Sequence, residues 1–217
     1  TAIVRTPNNR EIWVSADNGK ISVFNALTLR FESQKTVSTE ALHDMEVAGN
    51  YIWIGTSSGI SKYDPTTRRC VYDAKDICAE YLHVVQKNQL WCVGDGDEIC
   101  VWDTDRNERR EVANLEGENN VLLSMFVHVP ETAEVWTAAS GPQGNKIVVF
   151  STKKLSVGHI SNMGADEIVA LAAVGVFLWA ATRSGTVYVW NPITYSLQGK
   201  FTVHDQGIPL NVSLMRC

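Results

Sequence analysis

Asp95-Gly96-Asp97-Glu98 gathers three carboxylates into four residues, the densest set of oxygen ligands in the chain. A calcium loop needs further oxygen ligands at fixed spacing and a closing bidentate Glu. The ICVWD that follows supplies neither, so the stretch reads as a hairpin turn. His43, His83, His128, His159 and His204 are scattered, and none stands at triad spacing from a Ser or Cys nucleophile. Cys70, Cys78, Cys92, Cys100 and Cys217 avoid the CxxC and Cys/His spacings of a zinc site. They read as reduced thiols carried on strands. Gly141-Pro142-Gln143-Gly144 is not followed by Gly-Lys-Ser/Thr and reads as a stretched turn, not a phosphate cradle. The expectation is a protein that is not an enzyme and carries no cofactor or metal.

The elements that hold these residues repeat. EIWVSADNGKISVFN, YIWIGTSSGISKYD, QLWCVGDGDEICVWD, EVWTAASGPQGNKIVVFS and FLWAATRSGTVYVWN share one pattern, anchored on Trp13, Trp53, Trp91, Trp136 and Trp179. An aromatic followed by a small polar residue closes each copy: Phe24-Asn25, Tyr63-Asp64, Trp102-Asp103, Phe150-Ser151 and Trp190-Asn191. The runs are rich in Val, Ile and aromatics, as strands should be. Between the second and third runs lie Asn18-Gly19, Ser58-Gly59, Gly96-Asp97, Gly144-Asn145 and Ser184-Gly185, residues that tolerate the positive φ of tight hairpins. One apolar run precedes each Trp strand and a mixed run follows each aromatic–polar pair, giving four strands per copy, a to d. DICAEYLHVV (76–85) has helical features, but its register makes it strand a of the third copy.

Four-stranded repeats of about 40 residues, burying their faces on one another, predict an all-β chain forming a β-propeller. The blades fall at about 1–39, 40–78, 79–119, 120–166 and 167–206, with 207–217 as one strand of a sixth. The b-strand tryptophans are expected to pack between blades.

The pattern resembles the WD40 superfamily, with Trp102-Asp103 as the literal dipeptide. It departs from the standard repeat in lacking a Gly-His pair ahead of each copy; only His204-Asp205 is similar to it. Tryptophan on strand b in an xWxG or xWxA setting resembles the C-terminal propellers of large regulatory proteins. Among these are DENN-domain Rab exchange factors of the DENN domain-containing protein 3 type, Rho exchange factors, JNK-interacting scaffolds and leucine-rich-repeat (Roco) kinases. QLWCV (89–93) and EVWTAA (134–139) are close to strands of the first group. The resemblance implies a non-catalytic interaction scaffold within a larger cytoplasmic protein of signalling or membrane traffic. WIGTSSGISKYDPTT alone is similar to the periplasmic sensor propellers of bacterial hybrid two-component regulators, which implies the alternative of ligand sensing.

The 217 residues carry a net charge of −5, without the basic footprint that nucleic-acid binding needs. The longest apolar run, 168–181, falls short of the ~20 residues of a membrane span. The opening TAIVRTPN has neither Met nor a signal-peptide pattern, and the chain reads as part of a longer protein. All five d–a connections are net negative. Glu40, Asp76, Glu80, Glu118, Asp166, Glu167 and Asp205 there, with Asp95 and Asp97 in a b–c turn, predict an acidic end that steers a basic segment of a protein partner, or of the parent chain. The opposite end carries Arg68-Arg69, Arg109-Arg110 and Lys153-Lys154, a second candidate surface for an acidic partner or a peripheral membrane contact. Dimerisation is compatible with either surface.

Overall fold

The computed structural model describes residues 2–75, 77–86, 88–94, 99–111 and 121–203, and among them the regular structure is entirely β. Twenty strands form five antiparallel sheets of four, each with its strands in chain order. The first sheet holds β1 (Ile3–Arg5), β2 (Glu11–Ser15), β3 (Lys20–Asn25) and β4 (Phe31–Thr36). The second holds β5 (Asp44–Ala48), β6 (Tyr51–Gly55), β7 (Gly59–Asp64) and β8 (Arg69–Lys75). The third holds β9 (Tyr81–Gln86), β10 (Gln89–Val93), β11 (Ile99–Asp103) and β12 (Glu108–Glu111). The fourth holds β13 (Leu122–Val129), β14 (Glu134–Gly141), β15 (Gly144–Ser151) and β16 (Ser156–Gly164). The fifth holds β17 (Ile168–Val174), β18 (Phe177–Thr182), β19 (Thr186–Asn191) and β20 (Ser196–Thr202). The proposed extra strand, 207–217, lies outside the described residues.

The chain divides into two compact units, Thr1–Asn114 with the first three sheets and Leu115–Cys217 with the last two. In the first unit, Trp13, Ile21 and Val23 of the first sheet interlock with Met45, Ile52, Ile54 and Tyr63 of the second. The other face of the second sheet, with Trp53 and Ile60, meets Leu82, Leu90, Cys92, Cys100 and Trp102 of the third. In the second unit, Trp136, Ile147 and Val149 pack on Leu171, Leu178, Ala180 and Trp190.

This arrangement gives the repeat signature its physical meaning. The b-strand Trp of one sheet meets the aromatic of the aromatic–polar pair in the next. Trp13 stands edge-on to Tyr63 with ring centroids 6.3 Å apart, and Trp53 lies 6.1 Å from Trp102. Trp136 shares its cluster with Trp190. Burying each such ring removes ~150–250 Å² from water, roughly 4–6 kcal/mol of gross driving force at ~25 cal/mol per Å². Trp179 differs: it is only half-buried and stands edge-on to Phe201 at 5.7 Å.

The polar member of each pair closes the c–d turn. Backbone amides donate to Asn25 Oδ1 from Leu27 and Thr28, and to Asp64 Oδ1 from Thr66 at 2.8 Å. Asp103 accepts from Asp105 and Arg106, Asn191 from Ile193 and Thr194, and Ser151 from Lys154. Four residues after the polar one, every turn places a residue in the left-handed region: Leu29, Arg68, Asn107, Leu155 and Tyr195, with φ between 52° and 56°. In four sheets a bulge in the c–d pairing falls immediately before the aromatic, raising local twist at the outer strand.

One expected turn differs. Gly59 lacks positive φ, unlike Gly19, Gly144 and Gly185. A Cβ at Gly59 would stand 2.6 Å from the Ala74 carbonyl oxygen, so close strand approach, not turn conformation, requires glycine there.

Candidate functional site

The expected acidic end draws on d–a connections and b–c turns, and two of its described carboxylates, Glu40 and Asp166, hold the turns beside them. Glu40 Oε2 accepts from the Ser57 and Ser58 hydroxyls at 3.1 and 2.8 Å. Asp166 accepts from the Ser184 hydroxyl at 2.5 Å and from the Ser184 amide at 3.3 Å. Burial pushes the Asp166 carboxyl up, but hydrogen bonds from Ser184 and Thr182 outweigh it and leave the group below the usual carboxylate range. Glu167 pairs with Arg183 through contacts of 2.6 and 2.8 Å, and that guanidinium holds its carboxyl low. Arg183 thereby offsets one of the counted negative charges. Glu80 stands just ahead of β9, its amide bonded to the Val93 carbonyl. Asp76, Asp95, Asp97, Glu118 and Asp205 lie outside the described residues.

At the a–b and c–d turns of each unit the basic residues divide by role. Arg69, Arg110, Lys153 and Lys154 are exposed, as is Arg109 on β12 beside Arg110. Arg68 is instead committed to the first sheet. Its Nη2 lies 2.6 Å from both Glu11 Oε1 and Glu32 Oε2, while Nη1 donates to Ser33 Oγ at 3.0 Å. Glu11 also accepts the Trp13 indole N–H at 2.8 Å, joining the ion pair to the aromatic core.

Arg68 is one case of a recurring device. The left-handed residue of each described junction reaches back to the sheet before it. Tyr195 donates its hydroxyl to Glu134, stacks on Trp136 at 5.9 Å and lies against His159 at 4.6 Å. Glu134 pushes the Tyr195 phenol up to about 12. Asn107 Oδ1 accepts from Lys62 Nζ at 2.9 Å, and the Thr104 carbonyl accepts from the same ammonium at 2.7 Å. Lys62 is 5% exposed, with its Nζ 4.3 Å from the Tyr51 ring centroid and 5.3 Å from that of Trp53. Burial pulls its pKa below the ordinary lysine value, partly offset by Asp105. Sequence reasoning passed over Lys62 and Tyr195. Lys62 carried no signal, whereas that of Tyr195 was positional: Glu11 and Glu134 both stand two residues before a b-strand Trp, and Arg68 and Tyr195 four after a turn-capping residue.

A cleft of about 320 Å³ opens at this same end of the first unit, lined by Pro7 and Asn8, Asn50 and Tyr51, and Asp64, Pro65 and Thr66. It combines turns from the first and second sheets.

The buried sulfur chemistry is inert. Cys92 and Cys100 face each other across β10 and β11, both buried and reduced. A hydrogen bond with Cys100 and burial raise the Cys92 thiol well above its ordinary pKa, which suppresses the nucleophilic thiolate. No group of three or more His, Cys, Asp or Glu among the described residues is arranged to hold a metal ion. No family model matches the chain.

Proposed function

We propose that the chain is a WD40-like β-propeller, or part of one, serving as a non-catalytic interaction platform in a larger intracellular regulatory protein. The exchange factors, kinases and trafficking scaffolds that the repeat resembles define the class. One observation carries this reading. The same amide-capped, left-handed turn closes the c–d connection in all five sheets, while the d–a connections differ in length. A constant frame with variable loops is the arrangement of a binding scaffold, because loops tolerate change that packed strands do not.

The d–a end supplies the recognition charge for a basic segment, with association rate as its main contribution. Glu40 and Asp166 hold turns, so the electrostatic test spares them. Affinity capture from lysate with quantitative mass spectrometry would compare the chain with a variant bearing Glu80→Gln, Glu118→Gln and Glu167→Gln. Selective loss of captured proteins at an unchanged melting temperature is the expected outcome. Identical capture by both proteins removes the acidic end from the reading, and empty capture by both removes the interaction platform itself.

A further inference from the structure

The cleft beside Tyr51 has the chemistry of a peptide site, and we propose that it binds an extended segment of a partner protein carrying a basic residue flanked by proline or aliphatic residues. Peptide capture here rests on the chain being an interaction platform, but it places the contact at the a–b and c–d turns instead of the acidic end.

The cleft is already formed in the free chain. Asn8 Oδ1 is fixed by the Thr6 hydroxyl at 2.7 Å and the Arg10 amide at 3.1 Å. Asp64 is held by the Thr66 amide and by the Thr67 hydroxyl at 2.9 Å. The Tyr51 ring carries the buried Lys62 ammonium on one face and is itself 36% exposed. A site whose groups are held before binding avoids much of the ordering cost of association. Its volume lies at the lower end of the ~300–1,000 Å³ of ligand sites, enough for a short stretch of peptide.

The lining selects the occupant. The Asn50 carboxamide and Tyr51 hydroxyl make no hydrogen bond among the described residues, leaving a donor–acceptor pair and a phenol at the rim. A carboxamide matches the N–H and C=O of a peptide group, donor to acceptor and acceptor to donor. Pro7 and the Tyr51 ring supply apolar surface for an aliphatic or pyrrolidine side chain, and Pro65, itself buried, completes the lining. Asp64 is the one charged residue of the lining, and hydrogen bonds from Thr66 and Thr67 hold its carboxyl below the usual range, so it is anionic at neutral pH. With no cation in the lining, the cleft disfavours phosphate and acidic ligands and favours Lys or Arg.

The test is to pan a phage-displayed library of random peptides on the whole chain and titrate the enriched sequences calorimetrically. Three variants preserve the frame: Asn50→Ala, Tyr51→Phe, which keeps the ring over Lys62, and Asp64→Asn, since Asn25 and Asn191 cap the equivalent turns. Enriched peptides should carry a basic residue beside proline or aliphatic residues. Asn50→Ala should weaken them about tenfold, the worth of roughly one hydrogen-bonded group. Asp64→Asn should erase the preference for the basic residue, with melting temperatures unchanged. Three outcomes overturn the proposal: no enrichment, enriched peptides that bind all three variants as tightly as the parent, or substitution-sensitive binding of neutral oligosaccharides on a glycan array instead. If lysate capture succeeds while peptide selection fails, the cleft is wrong and the interaction platform stands. If both fail, the platform falls with it.

Discussion

Between the first and second sheets, the residue two places before the b-strand tryptophan is Glu11; between the fourth and fifth it is Glu134. Both meet the left-handed residue of the following c–d turn, but the chemistry differs. Glu11 takes a guanidinium and an indole N–H, so both its oxygens are used. Glu134 takes a phenol on one oxygen, while its Oε2 and the neighbouring Trp136 Nε1 have no partner among the described residues. The first junction is ionic and partly exposed, with side-chain exposures of 34% for Arg68 and 16% for Glu11. The second is aromatic, stacked and drier. One backbone slot thus accepts two kinds of bond, because the turn fixes where the side chain starts and leaves its chemistry open.

The largest expected effect is at the aromatic junction. Tyr195→Ala removes the stack on Trp136 and leaves the buried Glu134 carboxylate unpaired, a loss of about 3 kcal/mol in urea unfolding. Tyr195→Phe keeps the stack and should cost about 1–2 kcal/mol. The pH dependence has a definite sign. Tyr195 and Tyr63 both have folded pKa values pushed up to about 12, the first mainly by Glu134 and the second mainly by burial. Their stabilisation is complete below the unfolded value near 10 and is lost as pH rises from there through about 12. Tyr195→Phe should flatten part of that decline in melts recorded from pH 9 to 12, and an unaltered slope would remove Glu134 as its cause.

Next is the middle junction, where Lys62 replaces both acid partners. Lys62→Ala strands the Thr104 carbonyl and Asn107 and empties the space over Tyr51 and Trp53, for about 2–3 kcal/mol. Lys62→Met retains the packed stem and should recover part of this; equal losses for the two variants would mean that the ammonium contacts carry everything.

At the ionic junction, Arg68→Ala should cost about 1 kcal/mol, as partly exposed ion-pair networks do. Raising salt to about 1 M should shrink that difference, since screening then acts within ~3 Å. The Tyr195→Ala loss should stay constant under the same salt. A salt-insensitive Arg68 or a salt-sensitive Tyr195 would erase the contrast between the junctions.

The smallest effect has the opposite sign. Leu29 occupies the left-handed slot in the first sheet with its side chain 68% exposed. Leu29→Gly relieves a strain of about 1 kcal/mol against an unfolded-state cost of about 0.4–1 kcal/mol. Stability should rise by up to about 0.5 kcal/mol in the same unfolding assay; a clear loss would show that the slot is unstrained.

The strands were legible because tryptophan and β-branched runs recur at nearly constant spacing, and so was the small polar residue after each aromatic. Its capping of the c–d turn shows only in the amide hydrogen bonds that Asn25, Asp64, Asp103, Ser151 and Asn191 accept. The left-handed slot was hidden. Glycine or asparagine normally marks such a position, but four of the five occupants are Leu29, Arg68, Leu155 and Tyr195. The neighbouring cap and bulge, not the residue's own preference, impose the conformation. Lys62 was invisible for a related reason: a lysine on a strand reads as solvated, and only the third sheet's turn supplies the acceptors that bury it. Counting loop charges located Glu40 and Asp166 but could not see the serines that engage them, because Ser57, Ser58 and Ser184 carry no charge to count.

The backward reach of the c–d turn also defines where the chain can be cut and spliced. A segment exchanged at a d–a connection separates Glu11 from Arg68 and Trp13 from Tyr63, breaking one bonded pair at each seam. Within either unit, a segment of several whole sheets leaves the same two seams as a single sheet does, because every junction inside it keeps both the tryptophan strand and the turn that reaches back to it. For grafting or chimera building, the inheritable unit of this chain is therefore a pair of neighbouring sheets and not the single repeat that its sequence displays, with the tryptophan strand matched at one seam and the c–d turn at the other.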